Sequence, residues 1–131
     1  MKFQSVHIKG KGRGKGLGFP TINLQLPQHF SLQDGIYAVW VTIGGQTYKG
    51  ALHHGPIPVF KEQEKSLEVY LLNISEHEMP VTGQEPITID VVKKIRNIRN
   101  FDTPKLMSKQ IALDVEEINT TLIPPDESDF A

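Results

Sequence analysis

The chain contains no cysteine. That excludes disulfide staples and thiolate-held metal centres, and it suits a reducing compartment. No apolar run approaches the roughly 18 residues that a membrane-spanning helix requires, so no membrane partner is expected. The N-terminal Met1-Lys2-Phe3-Gln4 turns polar too early for a secretory leader, and a cytoplasmic location is the expectation. An excess of one charge is also missing. The 14 Lys and Arg residues against 15 Asp and Glu leave a net charge of −1, so there is no overall field to draw in a nucleic acid. Internal repeats and composition breaks are absent too, and 131 residues suffice for one core. A single domain over residues 1–123 is expected, followed by an acidic, flexible tail at 124–131 after Pro124-Pro125.

The residues that are present are unevenly distributed. Residues 10–23 read GKGRGKGLGFPTIN, and Lys9, Lys11, Arg13 and Lys15 crowd the same short segment. A Walker A loop needs Ser or Thr after Gly-Lys, but Gly14-Lys15 is followed by Gly16 and then by no helical pattern. A dinucleotide fingerprint fails as well, because the glycine offsets are wrong and no βαβ unit follows. A nucleic-acid arm would have the charge but lacks interleaved aromatic rings on which bases stack. Two readings stay open from the residues alone: a solvated surface loop, and a cradle in which glycine lets backbone N–H groups converge on a phosphate.

The rest of the chain reads first as strands. Thr21–Leu26 alternates, with Ile22, Leu24 and Leu26 on one face, and residues 36–43 (IYAVWVTI) are β-branched and aromatic. Gly44-Gly45 before QTYKGAL predicts a two-residue hairpin turn. Two prolines in residues 55–60 (GPIPVF) forbid a central strand there, and charged 61–65 suits a hairpin tip. Residues 66–73 (SLEVYLLN) form another strand, with Leu67, Val69 and Leu71 facing opposite to Glu68, Tyr70 and Leu72. Residues 87–95 form a further strand of less regular alternation. Thr103 and Pro104 then predict a helix N-terminus, and Met107, Ile111, Val115, Ile118 and Leu122 recur at helical spacing as a core-facing stripe. Five or six sequential strands and one helix imply an antiparallel sheet, and the pattern fits a closed barrel and an open sheet alike.

With GFPTIN in register at residues 18–23, the chain resembles the riboflavin kinase (flavokinase) family, whose signature is a glycine-rich basic loop running into Gly-Phe-Pro-Thr-x-Asn. The resemblance continues through DGIYAVWV (34–41), GPIPVF (55–60), SLEVYLLN (66–73) and IRNIRNFDTPKLMSKQIALD (95–114). It implies a mainly β fold, a six-stranded antiparallel Greek-key β-barrel with a C-terminal α-helix. It also implies transfer of the γ-phosphoryl of ATP to the 5′-hydroxyl of riboflavin, giving FMN and ADP, in a monomer without a nucleic-acid partner.

Residue by residue, the resemblance assigns nucleotide binding to Gly10, Gly12, Arg13, Gly14, Lys15, Gly18, Pro20 and Thr21, and Mg²⁺ to the oxygens of Thr21 and Asn23. The general base falls on Glu68 if its face is the ligand cleft; if its face is the barrel surface, Glu68 is an ordinary solvated glutamate. Flavin binding falls on Arg96, Asn100, Phe101 and Leu106, with Phe101 equally suited to the core. Three departures touch the loops. Val59 replaces a hydroxyl-bearing residue, MPVTGQ at 79–84 keeps only Gly83 of a Tyr-Gly pair, and Ile98 stands where the family has Glu. They suggest two alternatives, a flavin-binding module without catalysis and, on the basic loop, a small nucleic-acid-binding barrel. The adenylyltransferase His-x-Gly-His signature is missing, because HHG at 53–55 runs into Pro56. The chain is expected to stop at FMN, like the kinase module of bifunctional bacterial riboflavin kinase/FAD synthetases standing alone.

Overall fold

Segments that alternate apolar and polar residues become strands in the computed structural model, which describes residues 1–9, 21–55, 65–80 and 82–123. Among these residues the strands are β1 (Lys2–Ser5), β2 (Thr21–Asn23), β3 (Gly35–Ile43), β4 (Gln46–Gly55), β5 (Ser66–Leu71) and β6 (Ile87–Arg96). They form one sheet in the order β1-β6-β3-β4-β5-β2, with every pairing antiparallel. Strands β3, β4 and β5 form a meander; β6 returns beside β3, and β2 lies beside β5, which is Greek-key connectivity.

The turn expected at Gly44-Gly45 is present. Ile43 pairs with Gln46 across it, and both glycines take positive φ, 57° and 82°. A two-residue turn of that hand matches the twist of its strands. The choice between barrel and open sheet is made at the edges. His7 bridges Leu24, the Ile8 N–H donates to the Asn23 carbonyl at 2.8 Å, and the Gln25 N–H donates to the Val6 carbonyl at 3.0 Å. The sheet therefore curls until the continuations of β1 and β2 meet in a narrow seam, which covers two otherwise open edges.

Two apolar layers result. Ile22, Leu52, Leu67, Val69, Val39 and Ile89 fill the concave interior. On the outer face, Ala38, Ala51, Tyr70 and Leu72 pack against Ile111, Ile118 and Leu122 at the C-terminal helix, α1 (Pro104–Thr121). The Thr103 hydroxyl caps α1 by accepting from the Leu106 N–H at 3.2 Å, and Pro104 occupies the first turn, as the sequence predicts. At the other end, Asn73 takes φ 64° and exchanges amide hydrogen bonds of 2.9 and 3.3 Å with Asn119, which ties the helix to the end of β5.

Several details differ from the sequence expectation. β1 was not anticipated, because it is a short edge strand with one buried residue, Ser5. β2 ends at Asn23, and Leu26 is 40% exposed instead of joining the apolar face. The outward side of β5 is not solvent at Tyr70, since α1 covers it. The irregular alternation of β6 reflects two register shifts against β3, between Ile36 and Tyr37 and between Ala38 and Val39. Each shift places an extra residue on one strand and re-aims the side chains beyond it.

Candidate active site

Residues directly opposite one another in an antiparallel ladder share a face. Thr21 pairs with Tyr70 and Tyr70 with Ala51, and both Tyr70 and Ala51 lie in the layer beneath α1. Two residues along, on that same outer face, Asn23 pairs with Glu68, Glu68 with His53, His53 with Ile36, and Ile36 with Arg96. The sequence left the face of Glu68 undecided. Glu68 stands on the helix-bearing face, half-buried, between Asn23 on one side and His53 on the other. Thr21 and Asn23 are also half-buried.

Arg96 is the far end of this row. Its Nε donates to both carboxylate oxygens of Asp114 at 2.9 and 3.0 Å, and its Nη2 lies 2.9 Å from Oδ2. Asp114 is only 2% exposed, although it is a carboxylate on a helix. Buried charge requires this kind of pairing, and the planar guanidinium supplies it in a fork. Burial, and secondarily the Asp114 carboxylate, push the Tyr70 hydroxyl well above the ordinary phenol range, with Arg96 opposing. Tyr70 is therefore a neutral phenol at physiological pH.

The loop after β6 returns Phe101 to Arg96. The Arg96 guanidinium carbon lies 5.7 Å from the ring centroid and that of Arg99 lies 5.9 Å away, both within cation–π range. Phe101 is half-buried, whereas Asn100 is exposed in the loop and Leu106 is 45% exposed in the first turn of α1. The structure thus gathers Thr21, Asn23, Glu68 and Arg96 on one face and joins Phe101 to Arg96, while Asn100 and Leu106 sit at the surface. Gly10, Gly12, Arg13, Gly14, Lys15, Gly18 and Pro20 fall outside the described residues, as does Val59.

Two further residues belong to this region, His53 on β4 and Asp114 on α1. Nothing local in the sequence marks His53, whose place beside Glu68 depends on the register between β4 and β5. Asp114 did leave a signal. It lies three residues after Ile111 and four before Ile118, so it shares the buried helix face with them. Among the described residues, no cluster of three or more His, Cys, Asp or Glu could hold a metal ion, and no helix is long and apolar enough to cross a membrane.

Known proteins resemble this chain in sequence and in fold. The flavokinase family model, described as riboflavin kinase, matches residues 1–122. The RNA-binding riboflavin kinase RibR of Bacillus subtilis is 36% identical over 109 residues, covering 82% of this chain and 45% of that protein. The riboflavin kinase of Homo sapiens is 30% identical over 127 residues, covering 91% of this chain and 79% of that protein. Among solved structures, a riboflavin kinase from Trypanosoma brucei shares the fold with a TM-score of 0.61 at 24% identity, over 98% of this chain and 82% of that one. A Streptococcus pneumoniae protein described as a macrolide-efflux protein superposes with a TM-score of 0.75 at 25% identity, over 93% of this chain and 39% of that one. The chain spans less than half the length of the Bacillus relative.

Proposed function

The chain belongs to the riboflavin kinase family, and from that premise we propose that it transfers the γ-phosphoryl group of ATP to the 5′-hydroxyl of riboflavin, forming FMN and ADP. The observation that carries this reading is the outer-face row in which Asn23, Glu68 and His53 stand side by side and Arg96 closes the far end. It aligns a carboxylate able to accept a proton, neutral oxygen donors for a cation, and a guanidinium beside an aromatic ring.

Phosphoryl transfer asks little covalent chemistry of a protein, so positioning and charge neutralisation dominate. The Glu68 carboxylate takes the proton of the riboflavin 5′-hydroxyl as that oxygen bonds to the γ-phosphorus. The bond from the γ-phosphorus to the bridging oxygen breaks, and its electron pair leaves with ADP. Thr21 and Asn23, two apart on β2 and on one face, offer a hydroxyl and an amide oxygen. These fit Mg²⁺, a hard cation that takes few protein oxygens and completes its shell with phosphates and water. When bound, the ion neutralises charge on the β- and γ-phosphates. Gly10, Gly12, Gly14 and Gly18, with Arg13, Lys15 and Pro20, enclose the phosphates in this reading. Arg96, Asn100, Phe101 and Leu106 receive the flavin.

The reading also comprises a cytoplasmic monomer with no nucleic-acid partner. The Bacillus relative carries RNA binding in its name. Salt-dependent binding of single-stranded RNA that riboflavin leaves undisturbed would speak for the nucleic-acid alternative. The direct experiment is flavin chromatography after incubation with riboflavin and MgATP. FMN is the expected product, and a folded sample that makes none refutes the assignment.

A further inference from the structure

Beside the transfer row, side chains from β6, the following loop and α1 close a ring. Arg96 grips Asp114 through Nε and Nη2 at 2.9–3.0 Å. Asp114 Oδ1 accepts from Gln110 Nε2 at 3.0 Å, and Gln110 Oε1 accepts from Arg99 Nη1 at 3.0 Å. Arg99 and Arg96 then meet on Phe101, at 5.9 and 5.7 Å from its centroid. Gln110 suits this place chemically. Its amide is the one side-chain group here that donates toward the carboxylate and accepts from the guanidinium at once. Gln110 and Asp114 are one helical turn apart, so the rigid α1 supplies both anchors to a loop that has no regular structure at residues 97–100. Among the described residues, three of the five N–H donors of Arg96 are engaged, two toward Asp114 and one toward the Asn97 carbonyl at 3.1 Å. The same guanidinium lies against the Phe101 ring, so the bonds that hold Arg96 also help to place Phe101.

We propose that Gln110 and Asp114 are positioning residues that preset Phe101 and its two guanidiniums as a flavin-binding surface before riboflavin arrives. The proposal rests on the riboflavin reading above. A loop without these anchors has to be ordered by the ligand itself, and that ordering cost weakens binding without touching the transfer step.

Gln110→Ala removes the central link and leaves the Arg96–Asp114 pair in place. We expect it to raise both the KM for riboflavin and the Kd from flavin fluorescence quenching about ten-fold, with the KM for MgATP and kcat changed less than about two-fold. Asp114→Asn, where it folds, gives the same split. Amide hydrogen exchange at residues 98–102 accelerates in Gln110→Ala while the barrel amides keep their protection. An unchanged riboflavin KM, or an equal rise for both substrates, overturns the proposal. So does unchanged loop exchange, which is read without turnover. A wild-type protein that neither binds riboflavin nor makes FMN, yet shows the faster loop exchange in the variant, refutes the riboflavin reading and leaves the ring intact as a loop anchor.

Discussion

In the proposed transfer Glu68 is the base, and its cross-strand neighbours set its surroundings. With Asn23 opposite on β2 and His53 opposite on β4, its carboxylate stands between a neutral oxygen donor and an imidazole. Glu68→Gln keeps the size and removes the basicity. A base of this kind contributes roughly 10²–10⁴-fold, so kcat for FMN formation should fall by about that factor. MgADP affinity should stay nearly the same, and a variant as active as wild type would remove Glu68 from the mechanism. Asn23→Ala removes an oxygen donor instead of a base. Calorimetry should show weaker MgADP binding in that variant, and an unchanged affinity would dismiss its metal role. Both side chains were singled out by their place in a motif. His53 carried no such mark, because two adjacent histidines look alike until the strand assigns them opposite faces. His54, the neighbour, is 4% exposed and stacks edge-on with Phe30 at 4.9 Å.

At the scale of elements, caps and turns follow local rules closely. The 3-10 helix at Glu76–Glu78 lies in a stretch that reads as loop in the sequence, and Ser75 marks its start. Glu78 accepts from the Ser75 N–H at 2.9 Å and from the Ser75 hydroxyl at 2.8 Å. These bonds favour the charged form, the backbone one most, and hold the Glu78 carboxyl below its ordinary range. A depressed folded-state pKa stabilises the turn above the ordinary glutamate pKa. That contribution fades as pH falls through the lowered value. NMR titration of Glu78 should give a midpoint below that of a free glutamate, and Ser75→Ala should move it upward. No movement would show that the hydroxyl plays no part. Strand β4 obeys a different constraint at Gly50. A Cβ there would lie 2.7 Å from a Val41 methyl, 3.1 Å from one of Val69 and 3.3 Å from one of Val39. Gly50→Ala should therefore overpack the interior and cost about 1–3 kcal/mol in urea unfolding. A neutral result would mean that these valines yield freely.

For the whole molecule, the separation of two faces organises everything else. One side of the curled sheet holds the apolar interior, and the other is shared between α1 and the polar row. The sequence by itself determined what lies within a few residues of reach. It specified the Gly44-Gly45 turn through positive φ, the Thr103-Pro104 helix start through capping, and the inward sides of β5 and α1 through period. It also named Thr21, Asn23 and Glu68 through an ordered motif. Only the tertiary structure decided that the sheet closes, through a bridge between His7 and Leu24. The same holds for β1, whose partner β6 lies more than eighty residues away, for the meeting of His53 with Glu68, and for the pairing of Arg96 with Asp114. The reason is physical. Torsional preference and periodicity are properties of short windows, whereas register is fixed by the whole sheet, and a slip of one residue turns every side chain of a strand to the opposite face.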